Sequence, residues 1–306
     1  MVKVLKKLTM NKHLIKIFLL FILLLVGTSC NNKNDLKEID ISRTSSLKSG
    51  EDTKTNPKLF VAISTMISPV ETFNLYKDLI DYISKKMGIV IEFKERKTYG
   101  EVNDLLEKKQ LDFAFICTGA YWEAKKKFPL EILVVPVVNG KPTYQSYIIV
   151  NKESGIKSFD ELKGKSFAFT DPLSNSGHMY VTNLLLSKKI KIDNFFSKTI
   201  YTYAHDYSIQ AVSRKIINAA SVDGLVYEYL KIFQPGKIKN VIVIQKSKDF
   251  AIPPFVVRPS LDSKVKNKLK NIMLNMNNDP EGRAILKKMM IDNFIKGDEK
   301  QYNILN

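Results

Sequence analysis

Histidine, cysteine and tryptophan are scarce in this chain, which has three His, two Cys and one Trp among its 306 residues. So few His and Cys side chains leave no spacing typical of a metal site, and we predict neither a metal nor another cofactor. Cys30 has a separate role described below, so Cys117 has no partner for a disulfide within the chain. The fold must therefore be held together by its apolar core, which an apolar content of 44% can supply.

A long hydrophobic run is also missing at the N-terminus, where the apolar segment at residues 17–26 is only ten residues long. Such a run is too short to cross a bilayer core about 30 Å thick. It follows a Lys-bearing stretch without acidic residues and precedes three small residues and Cys30. This order predicts a secretory signal peptide over residues 1–29, after which Cys30 becomes the lipid-modified N-terminus. The alternative is an ordinary signal peptide with a coincidental cysteine.

An excess of lysine gives the whole chain a formal net charge of +17. Five lysines lie before Cys30, and without them the net charge falls to about +12. The remaining lysines are scattered and form no basic stripe with interleaved aromatic residues of the kind that single-stranded nucleic acids require. We therefore predict a Lys-rich solvated surface and no nucleic-acid partner.

The chain after the signal peptide divides into a polar segment and a patterned body. Residues 30–57 are rich in Asn, Lys, Ser, Thr, Asp and Glu and contain few large apolar side chains, which predicts a disordered tether. From residue 58 onward, short β-type runs alternate with amphipathic helical runs, a pattern typical of βαβ units and parallel sheet. The alternation restarts near residue 146, which indicates a second lobe.

Polar side chains follow the first predicted strand, and ligands of open α/β sheets bind beyond the carboxyl ends of strands. Ser68 at the N-cap, Pro69 at the first helical position and Glu71 three residues after Ser68 predict a capping box. Capping alone explains this pattern. Ligand contact by Ser64, Thr65 or Ser68 is the alternative.

Two later strand-to-helix junctions also carry hydroxyl groups. Thr118 lies beside Gly119, which lets a ligand approach the backbone closely, so ligand contact and simple N-capping both remain open for Thr118. Ser174, Asn175 and Ser176 precede a glycine that opens a helix. Hydroxyl and backbone N–H groups in this arrangement predict an anion-binding cradle that contains no cation.

Several segments carry a resemblance to one family. Asp-Pro-Leu-Ser-Asn-Ser-Gly at residues 171–177 is similar to the Asp-Pro-x-Ser-x-Ser-Gly loop of the phosphate, phosphite and phosphonate-binding proteins of ABC transporters. Further matches are Leu-Asp-Phe-Ala-Phe at 111–115, Thr-Gly-Ala-Tyr at 118–121, Ser-Gly-Ile-Lys-Ser at 154–158, Leu-Lys-Gly-Lys at 162–165, Ala-His-Asp at 204–206 and Ile-Pro-Pro-Phe-Val-Val-Arg-Pro at 252–259. The resemblance covers nearly the whole body.

The resemblance implies an α/β protein with the two-lobed type II periplasmic-binding fold. Each lobe would be a mixed, mostly parallel sheet flanked by helices, with the ligand cleft between the lobes. We expect lobe 1 to contain residues 58–145 and 252–306, and lobe 2 to contain residues 146–251. Hinge closure would then trap the ligand between the Thr118 loop and the Ser174 loop.

The resemblance also assigns ligand contacts in the loops described above. It implies that Ser174, Asn175 and Ser176 bind oxyanion oxygens, although the family usually has Thr or Ser where Asn175 stands. Thr118 and Tyr121 occupy the matching first-lobe loop.

Five further positions are assigned by resemblance alone. Tyr99 matches a cleft tyrosine, and Tyr144 matches a tyrosine before the crossover strand, where a hinge aromatic is the alternative. His205 and Asp206 match a His-acid pair that faces the ligand, and a surface histidine is the alternative for His205. An acidic residue of the family is replaced near Asn218, and the nearby Asp223 is expected to keep the second acidic site.

The function implied is that of an extracytoplasmic receptor anchored by lipid at Cys30, in the periplasm or at the cell surface. It would be a monomer that delivers phosphonate, phosphite or phosphate to an ABC permease with its ATPase. A hydrolase is one rival, because Ser176, His205 and Asp223 are the residue types of a catalytic triad. The Gly-x-Ser-x-Gly elbow is missing, however, and we predict no catalytic residues. A sensory lipoprotein that presents the ligand to a membrane kinase and a structural surface lipoprotein are the other rivals.

Overall fold

The computed structural model describes residues 58–302, and the predicted signal peptide, Cys30 and tether lie outside this range. Two large sheets, one of six strands and one of five, form the framework. Between residues 58 and 302, no helix is long and apolar enough to span a membrane.

Thirteen strands and ten α-helices make up the described part of the chain. The strands are β1 (Lys58–Ile63), β2 (Val90–Phe93), β3 (Phe113–Phe115), β4 (Glu131–Val137), β5 (Thr143–Tyr144), β6 (Ser146–Asn151), β7 (Ser166–Phe169), β8 (Lys198–Tyr201), β9 (Ala219–Asp223), β10 (Val241–Lys246), β11 (Phe250–Ala251), β12 (Phe255–Val257) and β13 (Asn293–Ile295). The helices are α1 (Pro69–Met87), α2 (Tyr99–Glu107), α3 (Thr118–Lys127), α4 (Tyr180–Ser187), α5 (Ile192–Phe195), α6 (His205–Ser213), α7 (Gly224–Phe233), α8 (Pro235–Ile238), α9 (Ser263–Leu274) and α10 (Pro280–Lys288). A π-helical turn at Asn175–Met179 leads directly into α4.

The first sheet has the strand order β13-β4-β12-β3-β1-β2. Its strand β1 runs parallel to both neighbours, β2 and β3, while β12 is antiparallel to β3 and β4. Helices α1 and α2 supply the crossovers that parallel neighbours require. The carboxyl ends of β1, β2 and β3 therefore lie at one edge of this sheet.

The second sheet has the strand order β10-β6-β9-β7-β8. Strand β7 is parallel to β8 and β9, and β6 is antiparallel to β9 and β10. The chain enters this sheet just after β5 and leaves it just before β11, and these two short strands pair with each other. The two crossings between the sheets are thus tied together by the β5–β11 ladder.

Apolar periodicity explains how the elements pack. Helix α1 buries Leu79, Ile80 and Ile83, which share one helix face, against the first sheet's core. It ends at Gly88, whose φ of 65° is the left-handed conformation of a helix C-cap, and the Gly88 N–H donates to the carbonyl of Ser84. The second sheet has a separate aromatic cluster formed by Phe159, Phe167, Phe169, Phe195 and Phe196.

The capping box predicted at Ser68 is wrong. The Ser68 side chain makes no capping hydrogen bond, and its backbone N–H donates instead to Asp206 Oδ1 at 2.8 Å. The Glu71 carboxylate accepts from Gln234 Nε2 at 3.1 Å and pairs with Lys237. Long-range partners have therefore replaced the local ones that the spacing indicated.

Candidate functional site

The carboxyl ends of parallel strands from the two sheets meet, and hydrogen bonds connect the loops that follow these strands. The His205 N–H donates to the Met66 carbonyl at 2.9 Å, which joins α6 to the loop after β1. The Tyr99 N–H donates to Asp171 Oδ2 at 3.1 Å, which joins α2 to the loop after β7. Together with the Ser68 to Asp206 hydrogen bond, these contacts hold the strand-end loops of both sheets against each other.

Besides the acceptor Asp206 Oδ2, four polar side-chain atoms of groups that can donate are fully buried at this junction and have no hydrogen-bond partner within residues 58–302. They are Ser64 Oγ, Tyr99 OH, Ser176 Oγ and His205 Nε2. Each belongs to the loop or first helical turn that follows one of the parallel strands β1, β2, β7 and β8. A buried polar group left unpaired costs about 1–3 kcal/mol, so a ligand that supplies hydrogen-bond acceptors would stabilise all four.

The tautomer of His205 follows from its neighbours. The Asp223 N–H donates to His205 Nδ1 at 3.0 Å, and the Thr170 hydroxyl lies 3.0 Å from the same nitrogen. Because an amide N–H can only donate, Nδ1 is an acceptor and the proton of the neutral ring is on Nε2. Burial lowers the pKa of His205 to about 3, so the ring is neutral near pH 7. His205 Nε2–H is therefore a neutral donor without a partner among the described residues.

The turn that carries Ser176 is shaped by local hydrogen bonds. Ser174 is the N-cap, and its Oγ accepts from the Gly177 N–H at 2.9 Å. A Cβ on Gly177 would lie 2.6 Å from the Thr170 side chain, so only glycine fits there. Ser174 Oγ thus caps the turn as an acceptor, whereas Ser176 Oγ has no hydrogen-bond partner in the described part of the chain.

The Ser176 carbonyl is held by two serine hydroxyls from the second sheet. It accepts from Ser146 Oγ at 2.7 Å and from Ser221 Oγ at 2.6 Å. Both hydroxyls reach this carbonyl within the π-helical turn at Asn175–Met179. The backbone of Ser176 is thus fixed on one side while its own hydroxyl faces the junction.

Ser64 and Tyr99 are the free hydroxyls beside the first sheet. The Ser64 N–H donates to the Phe115 carbonyl at 2.8 Å, which extends the β1–β3 ladder by one residue. Tyr99 begins α2 behind a capping box formed by Thr98 and Glu101. Burial raises the pKa of Tyr99 well above its ordinary value, so its hydroxyl keeps the proton that it would donate. From the sequence, ligand contact by Ser64 was only an alternative to helix capping, and the feature that indicated it was the position of Ser64 directly after a strand.

Three predicted site residues are paired with protein groups instead. Asn175 Nδ2 donates to the Tyr144 hydroxyl at 3.2 Å, and Thr118 Oγ1 donates to the Ala251 carbonyl at 2.7 Å. Both acceptors, on Tyr144 and Ala251, belong to the β5–β11 ladder, and all of these groups are buried. Asn175, Tyr144 and Thr118 therefore lie beside the four free groups and make contacts that connect the two sheets.

The acidic residues at the junction are buried and hydrogen-bonded. Asp223 caps α7, its Oδ1 accepts from the Leu225 N–H at 2.7 Å, and burial raises its pKa to about 7. Asp206 accepts from the Ser68 N–H through Oδ1, while its Oδ2 has no partner in the described chain. Burial also raises the pKa of Asp206.

Tyr121 is the predicted site residue that the structure does not bring to the four free groups. Its ring packs edge-on against Tyr302 with centroids 4.9 Å apart. Burial and the neighbouring Glu299 carboxylate raise the pKa of Tyr121. Tyr121 therefore faces the C-terminal segment of the described chain.

Two curated relatives share part of this sequence. The Phosphonates-binding periplasmic protein of Escherichia coli is 26% identical over 212 residues, which cover 68% of this chain and 62% of that protein. The Phosphate-import protein PhnD of Mycolicibacterium smegmatis is 27% identical over 212 residues, which cover 64% of this chain and 65% of that protein. The chain thus aligns with less than two thirds of the length of each relative.

A solved structure shares the fold. The binding protein component of an ABC phosphonate transporter from Pseudomonas aeruginosa superposes with a TM-score of 0.76 at 24% identity, covering 81% of this chain and 83% of that protein. This likeness confirms the predicted type II fold class. A family model described as "ABC transporter, phosphonate, periplasmic substrate-binding protein" matches residues 61–302, more than half of the chain. The chain therefore belongs to this family of periplasmic substrate-binding proteins.

Proposed function

We propose that this chain is the extracytoplasmic substrate-binding component of an ABC importer for a phosphonate, phosphite or phosphate. The observation that carries the proposal is the set of four buried donors that find no partner among the described residues, at the point where the strand ends of both sheets meet. Membership of the family supports the transport role. The relatives' names differ in ligand, phosphonates in one case and phosphate in the other, which is why we propose a class.

The proposed ligand is a tetrahedral oxyanion, and its chemistry matches the free groups. Three hydroxyls and one imidazole N–H, from Ser64, Tyr99, Ser176 and His205, can all donate to oxyanion oxygens. Hydrogen bonds to a charged acceptor are stronger than those between neutral groups, especially where water is excluded. Neutral donors can therefore bind an anion without a lysine or arginine in direct contact.

Capture is proposed to proceed by hinge closure between lobe 1, residues 58–145 and 252–306, and lobe 2, residues 146–251. The β5–β11 ladder lies where the chain crosses between these proposed lobes. The hydrogen bond from Tyr99 to Asp171 and the one from His205 to Met66 would form on closure and complete the site. The closed form would then dock on the permease.

A hydrolase is disfavoured by the hydrogen bonds around His205. A catalytic triad needs an acidic side chain on the imidazole nitrogen opposite the nucleophile. Here that nitrogen, Nδ1, accepts from the backbone N–H of Asp223, and the Asp223 carboxyl caps α7 instead. With Nδ1 as an acceptor, Nε2 carries a proton and cannot take one from Ser176. The proposed function is therefore binding without catalysis.

Attachment and assembly extend the proposal to the part of the chain before residue 58. Cleavage of residues 1–29 would leave Cys30 as a lipid anchor, and residues 30–57 would tether the receptor to the membrane. The receptor would act as a monomer, since each copy supplies all four free groups from its own chain.

Thermal unfolding of the chain purified in detergent tests the proposal, with phosphate, phosphite, methylphosphonate and aminoethylphosphonate as ligands. A ligand at about 100 times its dissociation constant should add roughly 2.7 kcal/mol to the free energy of unfolding. Ser176→Ala should remove most of that gain, whereas Ser187→Ala, which changes an exposed serine on α4, should keep it. Absence of a shift with all four compounds would reject the proposed ligand class.

A further inference from the structure

The contacts between the two proposed lobes include an ion pair outside the candidate site. Glu71 Oε1 accepts from Lys237 Nζ at 3.3 Å, and Glu71 Oε2 accepts from Gln234 Nε2 at 3.1 Å. Glu71 lies in the first turn of α1, in lobe 1, whereas Gln234 follows α7 and Lys237 lies in α8, both in lobe 2. We call these three side chains the interlobe clasp.

The clasp differs from the other ion pairs of the described chain in what it joins. Every other ion pair among residues 58–302 lies within one proposed lobe, as the pair of Lys266 and Glu131 lies within lobe 1. A pair within one lobe is present whether the lobes are open or closed, so it does not shift the balance between these forms. The pair of Glu71 and Lys237 requires the lobes to be in contact, so it stabilises the closed form.

The surroundings of the clasp reinforce the contact between the lobes. The Lys237 and Glu71 side chains are 30% and 31% exposed, so salt screens their attraction less than that of a fully exposed pair. Burial raises the pKa of Asp206, and the nearby Lys237 ammonium offsets part of that rise. Asp206 Oδ1 also accepts from the N–H of Ser68, three residues before Glu71. Lys237 therefore attracts two carboxyl groups, one from each proposed lobe.

The clasp is separate from the four free donors but is connected to them through two helices. It hydrogen-bonds to none of the four, since their free atoms have no partner among the described residues. Helix α1, which carries Glu71, follows the loop that begins with Ser64. Helix α7 leads from Asp223, whose N–H holds the His205 ring, to Gln234. The clasp can thus affect binding only through the relative positions of the lobes.

We propose that the interlobe clasp sets the affinity of the receptor by stabilising its closed form, without touching the ligand. This inference rests on the proposed function, because closure must trap the oxyanion before the clasp can change binding. The apparent affinity of a ligand scales with the fraction of protein in the binding-competent form. Glu71 and Lys237 are therefore positioning residues that lie outside the loops indicated by the family resemblance.

Calorimetric titration of the chain in detergent tests this role with phosphate, phosphite, methylphosphonate and aminoethylphosphonate. Lys237→Gln and Glu71→Gln should each weaken the binding of every oxyanion that binds by about two- to fivefold, as expected for a partly exposed ion pair. Because both substitutions remove the same pair, the double variant should bind about as weakly as Glu71→Gln alone. Lys266→Gln, which breaks the pair with Glu131 inside lobe 1, is the matched control and should keep the original affinity.

Alkylation of Cys117 measures opening of the lobes directly. Cys117 is buried beside Gly119, and a Cβ on Gly119 would lie 2.4 Å from the Leu173 carbonyl oxygen of lobe 2, so the two lobes are in close contact there. Without ligand, Lys237→Gln should raise the rate at which a maleimide modifies Cys117, followed by mass spectrometry of the peptide that contains it. Lys266→Gln should leave this rate unchanged, because its lost ion pair does not join the lobes.

The outcomes separate this inference from the proposed function. Unchanged oxyanion affinity in both Lys237→Gln and Glu71→Gln would overturn the inference and leave the proposed function standing. Equal losses of affinity in Lys237→Gln and Lys266→Gln would also overturn the inference, because the pair would then act through general stability. Failure of the unsubstituted chain to bind any of the four oxyanions would overturn both. Glu71→Gln alone decides the matter if Lys237→Gln does not fold.

Discussion

The two sheets each supply two free groups to the site, but they hold them differently. Around Ser176 and His205, beside the second sheet, neighbouring hydroxyl and amide groups fix the Ser176 carbonyl and the imidazole ring. Ser64 and Tyr99, beside the first sheet, are positioned through their backbone N–H groups, and Tyr99 uses a partner from the second sheet's loop. A preorganised donor loses less conformational freedom on binding. The second sheet thus offers a prepared half of the site, which the first sheet completes.

The largest expected effect comes from keeping the two halves apart. A Cβ on Gly119 would lie 2.4 Å from the Leu173 carbonyl oxygen, so Gly119→Ala should clash where α3 meets the loop after β7. Overpacking of this kind costs about 1–3 kcal/mol, and we expect oxyanion affinity to fall up to about 100-fold in calorimetry. Gly236→Ala is the control, because a Cβ there meets nothing within 4 Å. Unchanged affinity in Gly119→Ala would show that binding does not need this close approach.

Substitution of His205, whose ring is held by the Asp223 N–H, should have the next largest effect on ligand affinity. His205→Ala deletes a donor to the anion and leaves the buried N–H of Asp223 without its acceptor. We expect a loss of about 2 kcal/mol in binding, roughly 30-fold, together with a lower free energy of unfolding. His205→Gln keeps a side-chain amide donor and should recover part of the binding. Equal losses in the two variants would argue against a donor role.

The bracing around His205 includes a buried acid, which makes stability depend on pH. The pKa of Asp223 is about 7 in the folded protein, above its ordinary value of 3.8, so the folded state holds the proton more tightly. Its contribution to stability is complete below about pH 4 and is lost as pH rises through 7. Between pH 5 and 8, wild type should therefore lose roughly 2 kcal/mol relative to Asp223→Asn, which keeps a helix-capping side chain.

Urea unfolding of both proteins across this pH range measures the difference. The His205 pKa is lowered and the Asp223 N–H donates to that ring, so wild type and Asp223→Asn are also compared in a His205→Gln background, where no imidazole titrates at this position. If the free energies of unfolding of the two proteins change in parallel with pH, the pKa of Asp223 is not raised in the folded protein.

The smallest expected effects contrast one serine from each half. Ser64→Ala removes a buried hydroxyl without a partner in the described chain, so the unliganded protein should be as stable or more stable, while affinity falls about tenfold. Ser221→Ala removes a brace from the Ser176 carbonyl and should lower unliganded stability by about 1 kcal/mol. Thermal unfolding with and without ligand separates the two responses. Equal losses of unliganded stability in Ser64→Ala and Ser221→Ala would show that the two sheets do not hold their free groups differently.

Most of the fold was predictable because its elements follow local patterns. Apolar residues recur at helical spacing through α1, and β1, β3 and β9 are short apolar runs, so the local sequence alone indicates these elements. Two elements were harder to predict. Strand β4 contains Pro136, which argues against a central strand. Helix α7 buries Val226, Tyr227 and Leu230 at helical spacing, but it begins with Gly224, which is a poor helix former. Strands β5 and β11 have only two residues each and are defined by the hydrogen bonds between them, so no run of sequence indicates them.

The candidate site was predictable by position but not by pairing. The rule that ligands bind beyond strand ends led to Ser176, and family resemblance led to Tyr99 and His205. The sequence could not show that the Asn175 amide would find the Tyr144 hydroxyl, or that Thr118 would find a carbonyl across the β5–β11 crossing. Those pairings depend on residues far apart in the chain, so only the folded structure separates donors already used from donors still free.

The fixed imidazole of His205 also bears on metal ions. A histidine binds zinc or copper through an unprotonated ring nitrogen. In this protein Nδ1 already accepts a backbone N–H, and Nε2 carries the proton. The ring therefore has no lone pair to offer, and traces of transition metals in the surroundings would find no ligand in it.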